Sequence, residues 1–218
     1  MKPSHILTDL QCRAITLVGE EKQLANLRLS GGTALAAFYL EHRLSDDIDF
    51  FSFEPIDTVF LHAFTQRLKN TLGAQDMRYE RLYDRNLFFL SFEHDQELKM
   101  EFTHYPFSQL APEKEEMGIR IDSFADIAAG KLMALLDRFD PKDFVDIFFI
   151  LKQLSLSELR KNAEQKFGTK IGGIFLGREL IKVRRITALP SMIKKVEIPE
   201  LVDFFEVLAR EVGREVVE

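Results

Sequence analysis

Residues 29–52 read LSGGTALAAFYLEHRLSDDIDFFS. The pattern predicts a short strand, a glycine turn, a helix over 34–42 and a second strand over 48–52. Paired glycines let the backbone turn sharply and approach a ligand, and the N–H groups at a helix start attract anions. A glycine pair at such a place is more often only a tight turn. The candidates for binding phosphate are Gly31, Gly32 and Thr33.

Two aspartates, Asp47 and Asp49, stand where the second strand begins. Alternate side chains of a strand share a face, so the two carboxylates are expected side by side, with Ile48 and Phe50 in the core. Like charges at this spacing repel unless a cation lies between them, and Mg²⁺ prefers oxygen ligands. The alternative is a solvated acidic turn, which is the interpretation kept for Asp46.

A third carboxylate is offered by Glu101 in the segment LKMEF, residues 98–102. Alternation directs Leu98, Met100 and Phe102 to the core and Glu101 to the opposite face, together with Lys99. Taken by itself, a glutamate on an amphipathic strand is more often solvated than functional.

Charged residues also recur on two helices expected after residue 122. Lys131 and Arg138 are seven residues apart, and Asp143 and Asp146 are three apart on the next helix. Each pair therefore lies near one side of its helix. The two cations are candidates for binding phosphates, and the alternative is surface ion pairing between neighbouring helices.

The composition fits a folded protein and excludes several classes. The 218 residues are 46% hydrophobic and 29% charged, and the net charge of −6 argues against nonspecific coating of nucleic acid. Cys12 is the only cysteine, so neither an intrachain disulfide nor a cysteine-rich zinc site is expected. With no long apolar run, we expect a cytoplasmic protein without a membrane partner.

The order of elements predicts an α+β fold. Three β-favouring runs over 76–83, 86–93 and 97–105 follow a helix over 57–72, which indicates a mixed sheet with helices on it. Only helices are expected beyond about Ile121, in a C-terminal helical lobe. The basic stretch 158–195 is either a cationic surface for an RNA acceptor or a set of solvated helix faces.

Four ordered blocks give the chain a resemblance to the AbiEii/AbiGii toxin nucleotidyltransferases of the DNA polymerase β-like superfamily. The blocks are Gly31–Leu35, His42–Phe51, Leu98–Pro106 and Ile119–Asp146. The sequence pattern divides the chain near Ile121 into domains over 1–121 and 122–218, and the resemblance, which covers about residues 27–151, implies that the first is a nucleotidyltransferase-like catalytic domain. It also implies transfer of NMP from an NTP, with Mg²⁺ or Mn²⁺, to an acceptor such as tRNA or other RNA, and a cognate antitoxin partner.

The resemblance also implies roles for individual residues. Asp47, Asp49 and Glu101 would be catalytic and would hold the metal, although relatives commonly have Asp where Glu101 stands. The residues that would bind the nucleotide are Gly31, Gly32, Thr33, Lys131, Arg138 and Asp143.

Two other classes of protein remain as alternatives. One is a noncatalytic nucleotide- or RNA-binding module that retains the fold. The other is a different D-x-D enzyme, such as a sugar-nucleotide transferase or a phosphohydrolase. A phosphohydrolase usually has Gly-Thr after its nucleophilic aspartate, whereas Phe50 and Phe51 follow Asp49 here.

Overall fold

The computed structural model describes residues 6–214, which divide into two compact units. Unit 1 comprises the described residues up to Tyr39 together with Ser45–Ser108 and Pro112–Ser123. Unit 2 comprises Leu40–Leu44, Gln109–Ala111 and the described residues from Phe124 onward. The division into a catalytic domain over 1–121 and a helical domain over 122–218 stays a prediction.

Unit 1 is built on a mixed seven-stranded sheet with the order β3-β4-β5-β2-β1-β7-β6. The pairs β1–β2, β3–β4, β4–β5 and β6–β7 are antiparallel, whereas β2–β5 and β1–β7 are parallel. The strands are β1 Arg28–Ser30, β2 Ile48–Ser52, β3 Asp76–Leu82, β4 Arg85–Ser91, β5 Glu97–His104, β6 Lys114–Glu116 and β7 Ile119–Ile121.

Three α-helices begin in the described part of unit 1, and local capping signals account for the bounds of two of them. They are α1 Asp9–Glu20, α2 Gly31–Leu35, which continues as a wider turn over Ala36–Leu40, and α3 Thr58–Leu72. Thr8 and Gln11 form a reciprocal capping box at the start of α1. Asp57 caps the start of α3, and Gly73 ends that helix in the left-handed conformation that glycine adopts without strain.

Unit 2 is helical in its described part. Its helices are α4 Phe124–Asp137, α5 Pro141–Ile150, α6 Leu156–Phe167, α7 Gly173–Leu180 and α8 Ile198–Arg214. Asp140 caps α5, with Pro141 in its first turn, and Ser155 and Glu158 form a capping box on α6. Among residues 6–214, no helix combines the length and the apolar character needed to cross a bilayer.

The predicted fold class is confirmed, with some boundaries corrected. Strand β2 has the predicted bounds, and α3 ends before Gly73 as expected. The sequence patterns did not reveal β6, whose charged run Lys114–Glu116 lies at a sheet edge. The helix expected over 173–186 is α7 followed by a tighter turn over Ile181–Arg185.

Phenylalanine rings fill the core face of the central strands. Phe50 on β2, Phe88 on β4 and Phe102 on β5 are fully buried. The ring centroids of Phe50 and Phe102 are 5.0 Å apart, and those of Phe88 and Phe102 are 5.9 Å apart. Packing of these rings fixes the face of β2 and β5 that points inward, and thereby the face that Asp49 and Glu101 share.

We expect Phe102→Ala to lower the free energy of unfolding by about 3–5 kcal/mol, because it removes a ring at the centre of this cluster. Val59→Ala is the control, since Val59 on α3 is 80% exposed and its truncation should cost less than about 0.5 kcal/mol. Urea unfolding measures both. A similar loss in the two variants would contradict this account of the core.

Candidate active site

Strand register places three sequence-predicted segments in one row. Ser30 on β1 is opposite Asp49 on β2, and Asp49 is opposite Glu101 on β5. Directly opposite residues of paired strands have their side chains on the same face, and neighbouring strands are about 4.8 Å apart. The glycine turn after Ser30 and two of the three predicted acidic residues therefore share one face of the sheet.

Gly31 lies directly against the Asp49 side chain. A Cβ atom at Gly31 would be 2.7 Å from Asp49 Cγ and 2.9 Å from Asp49 Cβ, closer than real Cβ atoms approach other atoms. The φ angle of Gly31 is +67°, in the left-handed region. Only glycine satisfies both conditions, so the first glycine of the pair is required by the position of the carboxylate.

Thr33 connects helix α2 to the segment that carries Asp47. Its buried hydroxyl donates a hydrogen bond to the backbone carbonyl of Asp47. In this structure that hydroxyl is thus directed inward, rather than offered to a phosphate as the sequence suggested. The backbone N–H groups at the start of the helix are the remaining donors for an anion.

Asp47 precedes β2 by one residue and is paired with a cation. Lys99 Nζ on β5 is 2.7 Å from Asp47 Oδ2, and the Asp47 side chain is 41% exposed. The ion pair was not expected from the sequence, which placed Lys99 and Glu101 on a common face without a partner for the lysine.

Glu101 is buried and held by its neighbours, so the interpretation of a solvated strand glutamate is wrong. Arg85 on β4 donates from Nε and Nη2 to the two Glu101 oxygens, each at 2.6 Å. Thr103 Oγ1 donates to Glu101 Oε1 at 2.8 Å. Such a two-point arginine–carboxylate contact fixes the orientation of the carboxylate.

The carboxylates that could bind a metal differ in their exposure and in their hydrogen bonds. Asp47 and Asp49 are partly exposed and offer the hard oxygen ligands that Mg²⁺ prefers. Glu101 has its oxygens engaged by Arg85 and Thr103. Within the described range 6–214, no three His, Cys, Asp or Glu side chains are grouped as a metal site. The residues present therefore fit a cation held by two aspartates and completed by phosphate oxygens or water.

The charged residues predicted on the two helices after residue 122, now α4 and α5, form an ion cluster inside unit 2. Lys131 Nζ on α4 is 3.1 Å from Asp143 Oδ1 and 2.7 Å from Asp146 Oδ2, both on α5. Arg138 Nε is 2.9 Å from Asp143 Oδ2, and about half of the Arg138 side chain remains exposed. The predicted pairing between the helices occurs, but both aspartates are fully buried, so it is not a surface pairing.

His42 and Arg43, which precede the D-x-D segment in the sequence, complete this cluster. Arg43 donates from Nε and Nη2 to the two Asp146 oxygens at 2.7 and 2.8 Å, and His42 Nε2 is 2.7 Å from Asp146 Oδ1. Burial alone would raise the pKa of the Asp146 carboxyl, but Lys131, Arg43 and His42 hold that pKa well below its usual range. Burial lowers the pKa of the His42 imidazole.

From the sequence, no role was expected for His42 and Arg43, and Asp146 was expected only as a partner in surface ion pairing. One signal could have indicated their pairing: charged residues occur within apolar segments that are expected to be buried. Buried charges require partners of opposite sign. Pattern alone did not reveal which partner each charge would have.

Comparison with known proteins identifies the family. The sequence model described as "Nucleotidyl transferase AbiEii toxin, Type IV TA system" matches residues 16–215. The chain belongs to the AbiEii family. This AbiEii-family chain is also 33% identical over 145 residues to an uncharacterized protein of Aquifex aeolicus strain VF5. That match covers 64% of this chain and 65% of the Aquifex protein, just under two thirds of the relative's length.

Two solved structures resemble this AbiEii-family chain in fold. JHP933 from Helicobacter pylori has a TM-score of 0.60 at 18% identity, over 94% of this chain and 90% of that protein. MenT4, a nucleotidyltransferase toxin from Mycobacterium tuberculosis H37Rv, has a TM-score of 0.60 at 14% identity, over 94% and 84% of the two chains. At these identities the likeness concerns the fold.

We expect Gly31→Ala to destabilise the protein more than Gly73→Ala. Both glycines have positive φ angles, +67° and +82°, so each alanine suffers a backbone penalty of about 1–2 kcal/mol. A Cβ at Gly73 has no atom within 4 Å, whereas one at Gly31 must displace Asp49. Urea unfolding of both variants measures the difference. Equal losses would show that the Asp49 carboxylate does not press on Gly31.

We expect Asp146→Asn to lower the free energy of unfolding at pH 7 by about 3–5 kcal/mol, because Lys131 and Arg43 lose their buried counter-charge. The folded pKa of Asp146 lies below its unfolded value. Its stabilisation is therefore present above about pH 4 and disappears as the pH falls towards the folded pKa. The difference between wild type and variant should shrink over that acidic range in urea titrations.

The matched control is Asp140→Asn, at the half-buried cap of α5, since Asn caps a helix about as well as Asp. It should lose less than about 0.5 kcal/mol. A deficit in Asp146→Asn that stays constant from pH 7 to pH 2 would contradict the low pKa assigned to Asp146.

Proposed function

We propose that this AbiEii-family protein is a metal-dependent nucleotidyltransferase that moves NMP from an NTP to an acceptor hydroxyl and acts as a toxin. The observation that supports this best is the contact of the Asp49 carboxylate with Gly31, in register with Glu101. A glycine turn that binds phosphate and acidic residues that bind cations are both needed for phosphoryl chemistry, and here they are neighbours.

Asp47 and Asp49 are the residues proposed to hold Mg²⁺ or Mn²⁺. The ammonium of Lys99, 2.7 Å from Asp47, indicates that this carboxylate accepts a cation. A bound divalent cation would neutralise phosphate charge and lower the pKa of a hydroxyl that it contacts. The contribution of the chain is to hold Asp49 against the glycine turn and Asp47 beside it, so that both carboxylates are oriented before substrate arrives.

Glu101 is proposed as the third acidic residue, with a different task. Two carboxylate oxygens provide about four acceptor positions, and Arg85 and Thr103 use three of them. One position is left to accept the proton of an acceptor hydroxyl, as a general base does. Arg85 fixes the orientation of Glu101 for that step.

Phosphate binding is assigned to the backbone at the start of α2. The N–H groups of Gly31, Gly32 and Thr33 belong to the first turn of the helix, where backbone donors have no partner within the helix. The nucleotide-binding roles of Lys131, Arg138 and Asp143 stay predictions. In unit 2 the half-exposed guanidinium of Arg138 retains access to solvent.

The acceptor is proposed to be tRNA or other RNA, and a cognate antitoxin is proposed from the description of the family as a type IV toxin–antitoxin system. The basic stretch gives this only limited support. Lys182 and Arg178 are paired with Glu179, and Arg184 is paired with Glu206 of the acidic α8. Several cations of the stretch are thus paired with carboxylates of unit 2, whereas Arg185 stacks on Phe139.

We expect Asp47→Asn and Asp49→Asn each to reduce transfer of labelled NMP at least about 100-fold, because each removes a charged ligand of the proposed metal site. Asp46→Asn is the matched control: it removes the same charge from the adjacent exposed residue and should leave transfer within about twofold. Each α-labelled NTP is incubated with the protein, Mg²⁺ and total cell RNA or protein, and the labelled product is identified.

Thermal unfolding of the three variants establishes that they remain folded. Undiminished transfer by either Asp47→Asn or Asp49→Asn would reject the metal assignment. Absence of labelled product from every NTP and acceptor, together with absence of Mn²⁺ binding, would favour a noncatalytic binding module that retains the fold.

A further inference from the structure

The ammonium of Lys99 contacts the proposed metal-binding residue Asp47, with 2.7 Å between Nζ and Asp47 Oδ2. It lies on β5, two residues before Glu101 and on the same face. The parallel register pairs Ile48 with Met100, so Lys99 is level with residue 47 across the two strands. The fold itself therefore directs the ammonium at Asp47.

Arg85 and Lys99, the cations paired with Glu101 and Asp47, are held very differently. Arg85 makes two parallel bonds to the nearly buried Glu101, a rigid arrangement. Lys99 makes a single contact to a carboxylate that is 41% exposed, and its own side chain is 25% exposed. An ammonium on a flexible four-carbon stem can change partners by rotating about its side-chain bonds. Of the two, Lys99 is the cation that can exchange.

A divalent cation on Asp47 would have to take the place of this ammonium or bind beside it. Two positive groups on one carboxylate repel each other, and partial exposure weakens this repulsion without removing it. The phosphates of a nucleotide supply several negative charges in the same region, so they can accept the displaced ammonium. Metal and nucleotide then favour each other's binding.

Building on the proposed function, we propose that Lys99 is a resident counter-ion of Asp47, which a divalent cation displaces and which then binds a phosphate of the nucleotide. Lys99 thereby couples the two binding events. Without nucleotide, it lowers the affinity of the site for metal, and with metal bound, it raises the affinity for nucleotide. Such coupling is reciprocal, as for any pair of linked binding equilibria.

The test is Lys99→Met, which keeps the length of the side chain and removes the charge. We expect Mn²⁺ alone to bind the variant about fivefold more tightly, in line with the modest strength of a half-exposed ion pair. With saturating Mn²⁺, a non-hydrolysable NTP analogue should bind at least about tenfold more weakly, because a charge-assisted hydrogen bond is lost. Calorimetry measures both affinities.

Two further variants isolate the charge and its position. Lys99→Arg retains a cation and should restore nucleotide affinity to within about threefold of wild type. Lys22→Met removes a lysine charge from an exposed turn of unit 1 and should change neither affinity. Thermal unfolding of all variants checks that their folds are intact.

The outcomes separate this inference from the proposed function. Tighter Mn²⁺ binding together with weaker nucleotide binding in Lys99→Met supports the coupling. Failure of either change overturns it. If Asp47→Asn lowers Mn²⁺ affinity while Lys99→Met changes nothing, the metal site stands and only the role of Lys99 fails. If Asp47→Asn leaves Mn²⁺ affinity unchanged, the proposed metal site fails as well.

Discussion

The contact between the Asp49 carboxylate and the Gly31 backbone is the constraint on which the arrangement of unit 1 depends. Strands β1 and β2 are antiparallel, so the chain leaving β1 turns into α2 beside the residue that opens the acidic face. A side chain at position 31 would occupy the volume of the Asp49 carboxylate. The glycine turn is therefore shaped around a specific charge, which is more than a tight turn requires.

The second constraint is that each buried or half-buried carboxylate needs a cation as a partner. The two units satisfy this requirement in different ways. In unit 1, Glu101 is clamped by Arg85, while Asp47 has one exchangeable lysine. In unit 2, Asp146 has three partners in a fully buried cluster, an arrangement that tolerates no missing member. The Asp47 carboxylate is partly exposed to solvent, whereas the buried cluster holds Leu40–Leu44 to helices α4 and α5.

The chain shares its family and its fold with known proteins, whereas the candidate site consists of its own side chains and their contacts. Structures that share 14 and 18% identity with this chain retain its fold, so most of the sequence can vary while the architecture persists. Chemistry depends on particular side chains held on that architecture. The proposed activity therefore depends on Asp47, Asp49 and their contacts.

The sequence by itself determined the order of elements, the α+β class and the segments that carry the motifs. The signals for these elements are local: the two-residue periodicity of LKMEF and IDFFS, the capping residues and Gly73. Local signals can be read from the sequence without the tertiary structure. Lys99 reaches Asp47 across 52 residues, and Arg43 reaches Asp146 across 103. Only tertiary structure decided these pairs, because strand register and helix packing, which no local pattern encodes, determine which opposite charges meet.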